Sequence, residues 1–403
     1  MDWLVLGVFA AVYLGMFLGE LPGLALDRTG VAVLGAITLV AFQRVTPEAA
    51  WEAVDVPTIA LLAGLMVVSA QFRLAGFYTF VTRRLSKAKL APPFLLLAVL
   101  ALAAGLSALL VNDIVCLAMA PILVEGCARR GLDPVPFLLG LACAANIGSA
   151  ATLMGNPQNM LIAQKLHLPF LAYTGFALPV VVASVLALWA VLVFRQKGQW
   201  YAATPIPAVA APGFSRYQAT KGLLVLSAVV LAFSFAPWPR DVVAVTAAGL
   251  LLTSRRMASR DMLGLVDWQL LALFIGLFVV NHAFMTEGWM AAGLGWLRER
   301  GVDLSHPGVL FVATVLLSNL VSNVPAVMLL LPSATHPLAG PILALASTLA
   351  GNLLVVGSIA NIIVVEQASR LGVEITAREH ARVGLPVSLL TLGLAFLWVT
   401  LAS

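Results

Sequence analysis

Residues 142–160 read ACAANIGSAATLMGNPQNM. The stretch begins as an apolar helix and then loses the means to continue as one. Gly148, Gly155 and Pro157 interrupt regular backbone, while Asn146, Asn156, Gln158 and Asn159 bring four amides to the same place. Unwound backbone at membrane depth is tolerated only where it is buried in protein or lines a wet cavity. A helix broken in this way marks the midplane binding site of a transporter. A second such stretch, AGNLLVVGSIAN at 350–361, lies about half the chain later. The rest of the sequence is read as the frame that holds these two segments.

The surroundings support a membrane setting. Of the 403 residues 61% are hydrophobic and only 10% charged, and the mean hydropathy is +1.01. Soluble domains carry roughly 25% charged residues. The apolar runs are long and continuous rather than alternating in blocks of about ten, so the spanning element is the helix and not the barrel strand. The net charge of +5 needs no nucleic-acid partner, because loop Lys and Arg supply it. The three cysteines, Cys116, Cys127 and Cys143, are odd in number and irregularly spaced, which implies neither a disulfide framework nor a zinc site. Residues 1–19 lack the basic n-region and cleavage site of a signal peptide and are read as the first membrane helix.

Taken in order, helices are expected over 3–19, 29–42 and 56–72, followed by a basic amphipathic interface segment over 73–90 with Phe77, Phe80 and Val81 opposite its charges. Residues 92–126 are too long for one span and carry Asn112-Asp113 at their centre, so they are read as a re-entrant hairpin with that pair at its tip. The broken helix 136–166 and a helix over 169–194 close a first repeat, 1–195. Residues 196–217 form a polar linker containing Pro205, Pro207, Pro212 and Gly213. The second repeat, 218–403, has helices at 222–235, 242–252 and 268–284 and a surface segment at 285–300. It continues with a hairpin at 308–331 tipped by Ser322-Asn323-Val324-Pro325, a broken helix at 341–368 and a last helix at 383–401. Duplication shows in the residues themselves. Val54-Asp55, Gly64, Val67-Val68 and Gly76 recur 212 positions later as Val266-Asp267, Gly276, Val279-Val280 and Gly288. Asn112 pairs with Asn323, and Gly155 and Asn159 pair with Gly357 and Asn361.

The expected fold is thus an all-α polytopic membrane protein of two repeats, each with five membrane helices and one re-entrant hairpin. Five crossings per repeat invert the second against the first. With the N-terminus outside, all but five of the 23 Lys and Arg fall inside, the exceptions being Arg44, Lys165, Arg240, Arg298 and Arg300. Both termini are then expected on the periplasmic face of a cell inner membrane. Asp55 and Asp267 begin equivalent helices on opposite sides, where they suit N-terminal capping.

Several residues could carry transport chemistry. Asp113 is the acid placed well inside the membrane, where a lipid-facing carboxylate costs at least about 2.5–3.5 kcal/mol. It must face a cavity, pair, or hold a proton; it suits a coupling group or substrate contact, a cap on the returning hairpin arm, or both. Asn112 and Asn323, with Ser322 beside the latter, offer donors and acceptors at the two tips. The broken helices add Asn146, Gly148, Thr152, Gly155 and Asn159, then Asn352, Gly357, Ser358 and Asn361. These residues suit a small inorganic solute, an anion at half-helix N-termini, or a coupling ion, and equally suit satisfaction of freed backbone groups. Cys116, one turn beyond Asn112, is either a soft ligand or a small apolar filler. No phosphate-binding loop, nucleophile triad or metal-ligand spacing is present, so the sequence points to no catalytic residue, no bound metal and no cofactor beyond a coupling proton or sodium ion.

ANIGSAATLMGNPQN resembles the signature stretch of the ion transporter superfamily, which includes divalent anion/sodium symporters, arsenite-efflux antiporters and sodium/proton antiporters. The tips VNDIV and VSNVPAVMLLLP and the stretch GNLLVVGSIANIIV extend the resemblance over most of the chain. The dicarboxylate symporters carry Ser-Asn-Thr at both tips. This chain has Val111-Asn112-Asp113 and Ser322-Asn323-Val324, which look more like the arsenite-efflux branch. That resemblance implies exchange of neutral arsenite or antimonite for protons, with Asp113 as proton carrier, and an elevator-like motion of hairpins and broken helices. It allows a homodimer in the lipid bilayer and, in the arsenite branch, a soluble ATPase partner. The alternatives it leaves are a sodium-coupled anion transporter and a sodium/proton antiporter.

Overall fold

The computed structural model describes residues 1–19, 26–202, 209 and 212–402. The linker positions 203–208 and 210–211, including Pro205 and Pro207, lie outside the described residues.

The described chain is helical throughout, with one isolated β-bridge between Leu132 and Tyr201. The first part holds α1 (Trp3–Leu18), α2 (Arg28–Ala41), a short α3 (Pro47–Ala53), α4 (Val56–Leu74), α5 (Phe77–Ser86), α6 (Pro92–Leu109), α7 (Asn112–Arg129), α8 (Val135–Ser149), α9 (Pro157–Lys165) and α10 (Phe170–Gln196). The second holds α11 (Arg216–Phe235), α12 (Arg240–Leu252), a short α13 (Ser259–Leu263), α14 (Trp268–Thr286), α15 (Trp289–Glu299), α16 (Pro307–Val321), α17 (Asn323–Leu330), α18 (Ala339–Ala350), α19 (Ile359–Arg370) and α20 (Ala377–Ala402). Among the described residues six helices, α4, α6, α10, α11, α14 and α20, are long and apolar enough to cross a membrane. This is a multi-pass, all-α membrane protein. Several other apolar helices are shorter, because residues such as Gly155, Pro157 and Ser322 break the runs.

The ends of these helices follow from local chemistry. Asp55 accepts from the Thr58 amide at 2.8 Å and Asp267 from the Leu270 amide at 2.9 Å, so both acids cap helices. Three features differ from expectation. The short helices α3 and α13 precede those caps; Thr46 before Pro47 is a cap-plus-proline start signal that a search for long apolar runs passes over. Helices α11 and α20 begin six residues earlier than expected, since their polar first turns extend past the apolar window. Helix α5 does not lie free on the surface: Tyr78, Thr79 and Thr82 are buried, and it packs along α7.

Glycines set the closest crossings. A Cβ on Gly64 would lie 2.6 Å from the Ala244 carbonyl carbon, and one on Gly276 would lie 2.7 Å from that of Ala32. Backbone therefore meets backbone where α4 crosses α12 and where α14 crosses α2. The same equivalence holds elsewhere, with α6 along α8 and α16 along α18.

Polar ties gather at two ends. At one end Asp2 pairs with Arg44 at 2.6 Å, its amide donates to Glu287 at 2.9 Å, Lys165 pairs with Asp55, and Arg240 donates to the Ala163 carbonyl at 3.1 Å. At the other, Glu125 holds Arg83 at 2.9 Å and Arg129 at 3.0 Å, and Lys221 donates to the Leu251 and Thr253 carbonyls at 3.2 Å each. Arg130, just past α7, donates to the Ala88 carbonyl at 2.8 Å and the Leu90 carbonyl at 2.7 Å. The start of α6 and the end of α7 thus lie side by side at this second end.

Candidate functional site

The turn between α6 and α7 is placed by two backbone donors. Leu110 and Val111 are extended. The Val111 amide donates to the Ser69 hydroxyl of α4 at 3.1 Å, and the Asn112 amide donates to the Gly155 carbonyl at 3.2 Å. The tip of this pair therefore rests on the gap between α8 and α9. That gap closes on itself: Asn156 caps α9 by accepting from the Asn159 amide at 2.9 Å, and Pro157 occupies the first helical position.

At the centre stands Asn146, on the last turns of α8. Its amide nitrogen donates to Asn352 Oδ1 at 2.9 Å and to Asn361 Oδ1 at 3.1 Å. Its oxygen accepts from the Ser358 hydroxyl at 2.9 Å and from Asn112 Nδ2 at 3.3 Å. One side chain thereby joins four segments: α7, α8, the gap between α18 and α19, and α19 itself. All five residues are buried, between 0% and 6% exposed. Buried polar groups in such surroundings must find partners, and these find one another.

The remaining predicted residues take different kinds of place. Asn159 and Asn361 tie off the two gaps in the same manner. Asn159 Nδ2 donates to the Ser149 and Thr152 carbonyls at 3.3 and 3.0 Å; Asn361 Nδ2 donates to those of Gly351 and Leu354 at 2.8 and 3.0 Å. The Thr152 hydroxyl is taken up by the Ala108 carbonyl. Gly148 and Gly155 serve close approach, since a Cβ would come within 2.3 Å of Ala104 Cα and 2.4 Å of the Ser149 carbonyl oxygen, respectively. Gly357 is looser, 3.3 Å from the Gly351 carbonyl oxygen and 3.5 Å from Asn319 Oδ1. Cys116 is wholly buried in the apolar core.

At the second tip Ser322 holds φ at +76°, a conformation that costs an L residue of order 1–3 kcal/mol. It turns the chain so that Asn323 opens α17 beside Gly351, with Asn323 Nδ2 3.2 Å from where a Gly351 Cβ would stand. Asn112 Oδ1, Asn319 Oδ1, Asn323 Oδ1 and Asn352 Nδ2 are buried without a hydrogen-bond partner among the described residues. Asp113 sits in the first turn of α7, half-buried, with no side-chain capping bond and no ion pair among the described residues.

Other residues of the site escaped the sequence reading. Thr348 accepts from Asn156 Nδ2 and Gln158 Nε2 at 3.3 Å each, Tyr173 donates to the Ala150 carbonyl at 2.7 Å, and His380 meets the Asn352 carbonyl at 3.1 Å. Asn319 is one of the four with an unpartnered atom. Asn281, 212 residues beyond Ser69 in the chain, accepts from the Tyr13 hydroxyl at 2.9 Å.

Buried amides gathered where broken helices meet, in a polytopic helical protein, define a secondary transporter of small solutes or ions. Residues 13–346 match the family described as citrate transporter, CitMHS, and the chain belongs to that family, within the broad ion transporter superfamily. It is a transporter and not an enzyme. The chain is 28% identical to an uncharacterised transporter of Mycobacterium tuberculosis over 93% of this chain and 94% of that one. It is also 28% identical to a silicon efflux transporter of Oryza sativa, over 92% of each chain. The inner membrane protein YbiR of Escherichia coli is 29% identical over 84% of this chain and 86% of its own. The crystal structure of the YdaH transporter of Alcanivorax borkumensis shares the fold, with a TM-score of 0.59 at 15% identity, over 99% of this chain and 97% of that one.

Proposed function

We propose that this protein exports a small neutral metalloid hydroxide, arsenite or antimonite, in exchange for protons. The observation that carries the proposal is the charge of the site. Asn112, Asn146, Asn352, Ser358 and Asn361 supply amides and a hydroxyl, the carboxylate next to the tip amide is that of Asp113, and the nearby His380 ring is taken up by the Asn352 carbonyl. A polyanion such as citrate calls for cationic partners, whereas a neutral hydroxide finds matched donors and acceptors in amides. The resemblance to a silicon efflux transporter points the same way, because silicon and trivalent arsenic both travel in water as small neutral hydroxides. Asp113, which has no capping bond or ion pair among the described residues, carries the proton.

The architecture that suits this mechanism is two inverted repeats, 1–195 and 218–403, joined by the linker 196–217. In it, hairpins 92–126 and 308–331 and broken helices 136–166 and 341–368 move as one unit in an elevator-like cycle. The equivalent crossings at Gly64 and Gly276 and the equivalent gap closures by Asn159 and Asn361 support it. Both termini lie on the periplasmic side of the inner membrane in this arrangement.

Liposomes holding the purified protein and an internal pH dye test the proposal. Arsenite or antimonite added to the wild type should trigger proton flux, and Asp113→Asn should abolish it while leaving the melting temperature unchanged. Absence of any response to either metalloid sinks the proposal.

A second mechanism, sodium-coupled anion transport, is favoured by one specific observation: Asn112 Oδ1, Asn319 Oδ1 and Asn323 Oδ1 are buried oxygens without a hydrogen-bond partner among the described residues, and oxygens of this kind are what a hard cation takes. In the same liposomes it appears as citrate, succinate or sulfate uptake that requires Na⁺ and survives Asp113→Asn.

A further inference from the structure

At the end of the molecule that carries Glu125, a cleft of about 640 Å³ opens between α5, the loop after it and the end of α7. Its walls bring together Arg83, Lys87, Lys89, Arg129 and Arg130, with Glu125 as the one carboxylate among the described residues that line it. Glu125 is 8% exposed and takes two guanidinium groups, Arg83 at 2.9 Å and Arg129 at 3.0 Å. One negative charge thus fixes two positive ones and neutralises only one. Arg130 is held by carbonyl oxygens, which orient it without cancelling its charge. Lys87 and Lys89 are exposed and make no hydrogen bond or ion pair among the described residues.

The floor of the cleft is close-packed. A Cβ on Gly126 would lie 2.5 Å from the Ser86 hydroxyl, so only glycine lets α5 sit this near α7. Three guanidiniums are thus oriented by hydrogen bonds, to Glu125 or to carbonyl oxygens, around an unneutralised surplus of charge. That is the arrangement that binds a phosphate group through charge-assisted, often bidentate, hydrogen bonds at little ordering cost. Beside the charges the surface is apolar: Phe80 is 37% exposed and stacks on Phe214 at 4.1 Å, and Leu90 is 38% exposed. Basic pockets of this kind next to apolar surface suit acidic lipid headgroups.

We propose that this cleft binds a phosphate-bearing anion, which bridges α5 to the arm of α7 that leads to Asn112 and Asp113. Lipid headgroup and free phosphate share the chemistry, and the test separates them.

The full-length protein, stripped of lipid in a neutral detergent, is melted with short-chain phosphatidylglycerol, short-chain phosphatidylcholine or inorganic phosphate. Sodium chloride matches the ionic strength throughout. Phosphatidylglycerol should raise the melting temperature by about 2 °C or more, and Lys87→Gln/Lys89→Gln should remove most of that shift. Arg255→Gln, an exposed cation away from the cleft, should keep it. A shift from phosphatidylglycerol alone makes the ligand a lipid; a shift from phosphate alone makes it a soluble anion; shifts from both show a site that reads the phosphate group. No shift from either anion beyond that of sodium chloride or phosphatidylcholine overturns the proposal, and so does a shift that survives Lys87→Gln/Lys89→Gln.

Discussion

Asn146 uses both ends of its side chain, giving two hydrogen bonds and taking two. Its partners are buried and have few alternatives. Asn146→Ala would strand Asn352 Oδ1 and the Ser358 hydroxyl and weaken the hold on Asn112. Each buried group left unpaired costs about 1–3 kcal/mol. The variant should melt several degrees lower in detergent and carry no solute flux in liposomes, whichever solute is used. A melting curve equal to wild type would show that the amide cluster does not hold the four segments together. Gly148 is as constrained for a different reason: the Ala104 backbone occupies the space of a side chain. Sequence reading grouped it with the amides as a solute contact, because glycine in a motif looks the same whether it admits a ligand or a helix.

Among the elements, α4 is tied at its start to the end of α9 by Asp55 and Lys165. Burial pushes the Asp55 carboxyl up, but the hydrogen bond and charge of Lys165 and the Thr58 amide outweigh it and hold it below its ordinary value. A folded value below the unfolded one means that the stabilisation is complete above the usual carboxylate range, about 4. It is lost as pH falls through the lower folded value. With Lys165 44% exposed, solvent screening limits the pair to of order 1 kcal/mol or less. Asp55→Asn keeps a capping side chain and loses the charge. Its melting temperature should be slightly below wild type at neutral pH, and the gap should close as pH falls below about 4. A gap independent of pH would assign the tie to capping alone. The caps themselves were legible as residues, because an Asp before a long apolar run has few other uses. The partner Lys165 was not, since it lies 110 residues on and nothing local marks it. Likewise the gaps in the two broken helices were readable from Gly and Pro, but the buried face of α5 was not. Its Tyr78, Thr79 and Thr82 look polar enough for a surface and are buried by a neighbour that arrives later in the chain.

For the whole molecule, the two sets of polar ties define two ends, and the proposed orientation assigns them to opposite sides of the membrane. The check is thiol labelling in a background where Cys116, Cys127 and Cys143 are alanine. Single cysteines at Glu48 and Arg298 should react with an impermeant maleimide in spheroplasts, and those at Tyr201 and Arg255 only after lysis. The reverse pattern would invert the orientation; labelling of one site from each pair would break the repeat arrangement. The proposed orientation rests on the excess of Lys and Arg in alternate loops. The meeting of Asn112, Asn146, Asn352, Ser358 and Asn361 could not be read from the sequence, because it depends on how the halves dock, and only their membership of similar motifs was visible. The two tips differ in one respect. Asn112 is followed by Asp113, whereas its counterpart Asn323 is followed by Val324, buried and apolar. The first tip thus sets a titratable side chain beside its amide, and the second tip sets an apolar one there. In the proposed exchange of a neutral cargo for the one proton carried by Asp113, a transport cycle would shift one elementary charge. The membrane voltage would then drive the proposed export alongside the proton gradient, adding about 2.3 kcal/mol for every 100 mV.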